Sequence, residues 1–367
     1  VVPMVTEPIT RRTLNRTLLD RQLLLNRADM GPDDAVAHLL GLQSQNASSA
    51  YPGLWTRLAG FEFGALGTLL TERRLVRTVL MRNTVHLVTA SDALRLRPWL
   101  QPALDRGLRS SQWGAGVAGV DRDALVAAGR EVLAEQPLGN PELRCLLGAR
   151  FPAADPESLV SALRVWAPLV QVPPRGLWGV PGPLRHAFAD DWLGAPLAAG
   201  PDPAGLVRRY LAAFGPATPA DMQKWSGVTG LKKVFAAMQL RTYTAEDGQV
   251  LYDLPDAELT DPGVPVPARY VADFDNLLLS HADRTRILGD VPKSRVITVN
   301  GIVRGTILVD GFVGGTWRFD RSKDTTALVV TPFTPLPTPV RHTLESEGER
   351  LLTAAYGGPG EVRLEQS

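Results

Sequence analysis

Apolar residues recur along this chain at helical spacing in successive blocks, and each group of blocks runs out into a short alternating stretch. The first block, TLNRTLLDRQLLLNRA, places Leu14, Leu18, Leu19 and Leu25 at that spacing. GPDDAVAHLLGLQSQ follows, with Pro32 and two acids where a helix should begin. FGALGTLLTERRLVRTVLM continues the helical period, TVHLVT reads as a short strand, and Ser91 with Asp92 behind it is placed to cap a long helix over DALRLRPWLQPALDRGL.

Two further segments repeat this plan. The second begins at Asp121 with DRDALVAAGREVLAEQ, turns at PLGNPELRCLLGARF, and passes through DPESLVSALRVWAPL to the strand-like LVQVPPRGLWGV. The third runs DPAGLVRRYLAAFG, PATPADMQKWSGVTG, LKKVFAAM and the strand-like LRTYTAEDGQVLYDL, with Thr218 as N-cap, Pro219 at the first helical position and Gly227 at the exit. Helix, turn, helix, helix, strand pair is the order of a winged helix-turn-helix, a unit that can place a helix in a DNA groove.

From about Asp261 the pattern changes. A proline-rich linker, DPGVPVPARYV, leads to SRVITVNGIVRGTILVDGFVGGTWRF, whose alternation is broken at Asn300-Gly301 and Asp310-Gly311, both hairpin signals. ALVVTPFTPLP adds a strand and PVRHTLESEGERLLTAAYG a helix. The expected fold is α+β, mainly α. Three tandem winged helix-turn-helix units cover residues 1–118, 119–199 and 200–260, and a β-barrel-like C-terminal domain covers 261–367.

Composition narrows the class. A chain of 367 residues with 44% hydrophobic and 21% charged positions has ample core. No apolar run is long enough for a membrane span, and VVPMVTEPITRRTLNR lacks the basic-then-apolar order of a secretion signal, so a cytoplasmic protein is expected. The lone Cys145 and five scattered histidines carry no metal-ligand spacing, and neither metal nor cofactor is expected. Net charge is +1, but residues 1–110 hold 14 basic against 9 acidic side chains, so a phosphate-bearing partner would be met mainly there.

Familiar catalytic signatures are missing: there is no G-x-S-x-G elbow, P-loop, H-E-x-x-H or dinucleotide fingerprint. What stands out is HLLGLQSQNASSAY, where Gln43, Ser44, Gln45 and Asn46 follow the helix-weakening Gly41. On extended chain, residues two apart share a side, so Gln43 and Gln45 could be presented together. A neutral amide donates and accepts hydrogen bonds but is a negligible base. Such a pair can hold a water and face developing positive charge, which suffices only when the leaving group is already good. An N-alkylated purine, cationic before departure and neutral after it, meets that condition. Polar clusters at helix ends also serve as caps and solvated turns, and the residues alone leave both readings open.

The sequence resembles the AlkZ/YcaQ family of winged-helix DNA glycosylases over nearly its whole length. The likeness is carried by LLGLQSQNASSAYPGLWTRL, LVRTVLMRNTVHLVTASDA, GPATPADMQKWSG, DFDNLLLSHADRTRIL and GIVRGTILVDGFVGGTW. It implies three winged helices in a C-shape with a C-terminal β-barrel, and a catalytic Gln-x-Gln motif falling on Gln43 and Gln45. The middle residue, often aliphatic in the family, is Ser44 here. The implied reaction is hydrolysis of the N-glycosidic bond of N7-alkylguanine in duplex DNA, including the unhooking of azinomycin-type interstrand cross-links in antibiotic self-resistance, with no lyase step.

Further DNA contacts are expected from Asn46, from Arg82, Asn83, Thr84 and His86 around the first wing, and from His281, Arg284 and Arg286 in SHADRTR. Trp113, Trp166, Trp178 and Trp225 are read as core. One chain supplies several DNA-binding surfaces, so a nucleoid-associated monomer is expected. The rival reading is a non-catalytic winged-helix DNA-binding protein, a regulator or a sequesterer of a DNA-damaging drug.

Overall fold

The computed structural model describes residues 8–321, 326–358 and 360–365; residues 1–7, part of the stretch inspected for a secretion signal, lie outside it. Helix Arg11–Arg21 starts at Thr10, whose hydroxyl accepts from the Thr13 N–H. Helix Pro32–His38, the two-residue strand Leu42–Gln43 and helices Ala50–Trp55 and Phe63–Thr71 follow, and then strands Leu75–Val79 and Val85–Thr89. The helical period expected to reach Met81 therefore stops at Thr71. Arg73 adopts a left-handed φ of 62°, which ends the helix, and the β-branched Val76, Thr78 and Val79 suit a pleated strand. Helix Ala90–Arg109 is capped by Thr89, which accepts from the Asp92 N–H, rather than by Ser91.

The second segment repeats this order. Helix Arg122–Leu133 is capped by Asp121 as expected, and strand Leu138–Gly139, helices Asn140–Arg150 and Pro156–Trp166, and strands Leu169–Gln171 and Arg185–Phe188 follow. The strands of both segments merge into one antiparallel sheet, in the order Leu42–Gln43, Val85–Thr89, Leu75–Val79, Leu169–Gln171, Arg185–Phe188, Leu138–Gly139. The third segment has helices Pro203–Phe214, Pro219–Ser226 and Leu231–Ala236 and its own hairpin, Arg241–Thr244 with Val250–Asp253. Thr218 and Asp221 form a reciprocal capping box there, with Pro219 in the first turn and Gly227 left-handed at the exit.

The C-terminal segment corrects the barrel expectation. Its five strands form an open sheet ordered Glu361–Leu364, Thr326–Pro332, Phe312–Arg321, Gly305–Val309, Arg269–Val271. Instead of the two edges pairing, helix Thr338–Tyr356 lies across the sheet, and the Tyr270 hydroxyl donates to Leu344 O at 2.8 Å. The hairpin at Asp310-Gly311 forms as read, with φ of 46° and 83°. A Cβ at Gly311 would lie 2.5 Å from the Asn15 amide oxygen, so glycine also permits the hairpin to dock on the first helix.

The segments share their packing. One buried apolar cluster runs from Leu18 and Leu19 through Val76, Leu163 and Phe214 to Val271, and another joins Tyr51 and Leu54 to Ile307, Leu328 and Leu351. No helix among the described residues is long and apolar enough to cross a membrane.

Three histidines lie in this interior: His86, His186 and His281, each at most 2% exposed. Burial is the largest cause that pushes each of them down to about 3. The neighbouring Arg286 lowers His281 further, while Asp221 raises it. A histidine held neutral in the fold but free to protonate when unfolded makes the unfolded chain bind more protons below its ordinary value of about 6.5. Stability is therefore fully present above that value and falls as the pH drops from about 6.5 towards 3, by about 1.4 kcal/mol per histidine per pH unit. Urea midpoints measured across this range should drop steeply on acidification. A midpoint that stays flat down to about pH 5 would show that these histidines are protonated in the native state.

Candidate active site

The Gln43–Asn46 loop leaves the interior through Gly41, at φ 90°, where a Cβ would lie 2.6 Å from Val88 Cγ1 and 2.9 Å from Leu87 O. Only glycine lets the chain turn this closely over the neighbouring strand. Gln43 then pairs with His86 across the sheet, and the Ser44 N–H donates to Val85 O at 2.8 Å. The helix end expected here is thus the edge strand of the six-stranded sheet.

The loop passes from interior to surface, with Gln43 and Ser44 buried and Gln45 and Asn46 exposed. Ser44 is fully buried, its hydroxyl accepting from Arg77 Nε at 3.2 Å and its carbonyl from Arg77 Nη2 at 2.8 Å. That contact accounts for a polar residue between the two glutamines, because the interior below it is a guanidinium. Burial lowers Arg77 to about 10, which leaves it cationic at neutral pH.

Gln43 is nearly buried, and its Oε1 accepts from Arg82 Nη2 at 2.7 Å. Arg82 Nη1 donates to Trp225 O in the third segment, and Arg82 Nη2 lies 3.4 Å from His86 Nε2. His86 Nδ1 is 2.9 Å from Thr84 O, an acceptor only, so Nδ1 carries the proton and the neutral ring turns its Nε2 lone pair towards Arg82. Gln45 is exposed, and its Oε1 accepts from the Val85 N–H at 3.3 Å. Among the described residues each glutamine carbonyl therefore has one protein donor and a second lone pair to offer, and neither side-chain amide N–H group has a protein acceptor. Asn46 donates to Asp273 Oδ2 at 3.1 Å and accepts from the Ser48 hydroxyl at 2.8 Å.

The C-terminal segment grips this loop at both ends. Asn276 Nδ2 donates to Gly41 O at 2.7 Å and to Leu39 O at 3.3 Å. Asp275 receives Arg57 Nη1 and Nη2, both at 2.8 Å, in a bidentate pair with both side chains buried. Asp273, Asp275 and Asn276 were not singled out from the sequence. The signal available was DFDN ahead of an apolar run, which reads locally as a helix cap, and Asp275 does cap helix Asn276–Leu279.

The other expected contacts divide. Asn83 Nδ2 donates to Leu104 O, the Thr84 hydroxyl to Met81 O, and Arg82 has both terminal nitrogens engaged, so the first-wing group mainly organises the turn below Gln43. Arg82 and Asn83 both hold left-handed φ of 56°, a strained turn beside the site. His281 and Arg286 are a correction: they are 2% and 6% exposed, His281 Nε2 meets Phe214 O at 3.0 Å, and Arg286 Nη1 donates to Pro216 O at 2.9 Å. His281 Nδ1 also meets the Ser280 hydroxyl at 2.9 Å, so both residues are engaged inside the protein and neither presents a surface to DNA. Arg284 differs. Its Nε donates to Leu278 O at 2.6 Å, and its charge lies close enough to Arg82 to help lower that residue, after burial, to about 10. Trp225 is core as expected, whereas Trp178 lines a cleft next to Asn46.

With this geometry in place, the comparisons identify the class. The chain belongs to the AlkZ-like family of DNA glycosylases, whose family profile matches residues 36–354. A relative from Streptomyces sahachiroi described as an interstrand DNA cross-link repair glycosylase is 26% identical over 344 residues, covering 86% of this chain and 88% of the relative. The solved structure of the Streptomyces sahachiroi DNA glycosylase AlkZ is similar in fold, with a TM-score of 0.79 at 23% identity, over 98% of this chain and 100% of that one.

Two measurements separate the roles of the arginines. Arg82→Ala should slow base excision about as much as loss of Gln43 while leaving duplex affinity unchanged; a large loss of affinity would make Arg82 a DNA contact. Arg284→Ala should flatten the log–log salt dependence of duplex binding by roughly 0.9, the share of one phosphate contact. Arg286→Ala should lower the unfolding midpoint and leave that slope alone.

Proposed function

We propose that this glycosylase hydrolyses the N-glycosidic bond of cationic N7-alkylguanine in duplex DNA, with Gln43 and Gln45 holding the attacking water. The observation that carries the reading is a pair of neutral amides whose carbonyls are fixed by protein donors and whose remaining hydrogen-bonding capacity is open. The Arg82 guanidinium polarises the Gln43 amide and strengthens its N–H groups as donors. Gln43 donates to the water oxygen, and the second lone pair of Gln45 Oε1 accepts a water hydrogen. The water oxygen bonds to the sugar carbon as the carbon–nitrogen bond breaks. The bonding pair neutralises the cationic base, and the water proton passes to solvent. No strong acid is required, because the base leaves uncharged. No lyase step follows from these groups.

The order of three helices and then a hairpin, common to all three segments, supports reading residues 1–118, 119–199 and 200–260 as tandem winged helices, with 261–367 as the domain that clamps the first. The description of the Streptomyces relative supports interstrand cross-links as substrates; action on those of the azinomycin type, and with it a role in self-resistance, extends this reading from the resemblance of the sequence. Duplex DNA is the partner, bound by a monomer at the nucleoid, with Asn46 and Arg284 near the lesion.

Incubation with a duplex carrying one N7-methylguanine, followed by mild base and electrophoresis, tests the activity; binding without strand cleavage would favour a non-catalytic DNA-binding protein. Gln45→Ala should slow single-turnover excision by about 10²-fold or more, and Gln43→Ala should act in the same direction. Neither should much alter duplex affinity, which phosphate contacts dominate. Wild-type rates in both folded variants would place the chemistry elsewhere.

A further inference from the structure

A cleft of about 630 Å³ opens beside Asn46, between the loop that carries Gln45 and the C-terminal sheet. One wall is aromatic. Trp317 packs edge-on against Phe319 at 5.1 Å, Phe319 lies 6.2 Å from Trp178, and Tyr356 touches both Trp178 and Phe319 at 5.7 and 5.4 Å. The two indole N–H groups already donate to backbone, Trp178 to Ala355 O and Trp317 to Val271 O. The two indoles therefore offer the cleft π surface without a free N–H, and the Tyr356 hydroxyl is the polar group of this wall.

Asp273 also lines the cleft. Burial raises its carboxyl above the usual range, and the hydrogen bond from Asn46 only partly offsets this. Asp273 is half-buried, whereas the fully buried Asp253, Asp275 and Glu347 each have a cation partner, Asp253 with Arg21, Asp275 with Arg57, and Glu347 with Arg27 and Arg269. Among the described residues no cation pairs with Asp273. A carboxylate withdrawn from water is costly unless a positive charge meets it. Aromatic faces favour the same kind of ligand. Arg304 and Arg318 line the same cleft and are exposed, where they can meet phosphate.

We propose that this cleft is the receptor for the positively charged heteroaromatic base of the lesion, with Asp273 as the residue that selects for its charge. The inference rests on the glycosylase reading and adds to it a charge-selective subsite separate from the two glutamines. The cleft volume lies in the range of small-molecule sites and leaves room for a base carrying a bulky substituent. A ligand seated there lies next to Asn46, and so next to the loop that holds Gln45. Once the bond to the sugar breaks, the base is neutral and the attraction to Asp273 is lost, which favours product release. An interaction made with the base before the transition state chiefly tightens binding, so Asp273 should affect KM more than kcat.

The test uses the whole protein and two nucleosides of matched shape. 7-Methylguanosine carries a cationic base at mildly acidic pH, and 7-methyl-7-deazaguanosine is its neutral counterpart. Binding is read from the fluorescence of the tryptophans lining the cleft. The wild type should prefer the cation by about tenfold, the equivalent of one good charge contact. Asp273→Asn should bring the two affinities together, and Asp273→Glu should restore part of the preference. On N7-methylguanine duplex, Asp273→Asn should raise KM about tenfold while single-turnover excision at saturating enzyme changes by less than about threefold. A wild type that binds neither nucleoside, or binds both equally, overturns the proposal, as does an Asp273→Asn variant that keeps the preference. Nucleoside binding requires no bond cleavage, so these outcomes are independent of whether the duplex is cut.

Discussion

The bidentate pair between Arg57 and Asp275, with Asn276 beside it, is the constraint on which the site depends. Arg57 follows the helix after the Gln43–Asn46 loop, and the Gly41 carbonyl held by Asn276 precedes that loop. Two adjacent residues of the C-terminal segment therefore fix both ends of a short stretch made of a two-residue strand, the loop and one six-residue helix. A buried ion pair contributes little net stability, because desolvation offsets most of its attraction. Breaking it by removing one partner costs about 3–5 kcal/mol, since the other charge is left buried and unpaired. What the pair supplies is position for the loop that carries the two glutamines.

The same logic extends outwards through the fold. Merging the strands of the first two segments into one sheet gives the edge strand at Gln43 a rigid neighbour, because its partner strand is itself held on the far side. Arg82 then connects Gln43 to Trp225 in the third segment, and Asn46 connects the loop to Asp273 in the fourth. The C-terminal segment bonds to the glutamine loop directly, the third segment reaches it through Arg82, and the second does so through the sheet. These contacts fix the separation between the two amides.

Electrostatically, the site sets neutral groups among fixed charges. His86 is held neutral by burial and by the nearby Arg82, so it orients that guanidinium without competing for protons. Arg82 and Arg77 lie beneath the loop, and Asp273 lies across it. Positive charge under the amides and a carboxylate at the cleft give a direction to the local field. Arg304 and Arg318 add exposed positive charge on the far wall of the cleft, so Asp273 is a local negative point between two basic flanks.

Much of this architecture follows from the chain alone. The helix blocks, the capping box at Thr218 and Asp221, the turn at Asp310-Gly311 and the Gln-x-Gln stretch are local features, set by side-chain periodicity, backbone conformation and neighbours a few residues away. Local reading failed where long-range pairing decided. Leu75–Val79 became a strand because a sheet was available to receive it, and the C-terminal sheet stayed open because a helix covered it. His281 and Arg286 looked like a basic surface, yet tertiary packing turned them onto inner carbonyls. Asp273, Asp275 and Asn276 looked like a helix cap and became the clamp and the cleft. Sequence by itself determined which groups were present and which local elements they favoured. Only the tertiary structure decided which of them face each other, because Asp275 and Arg57 are 218 positions apart and nothing in their local surroundings encodes that meeting.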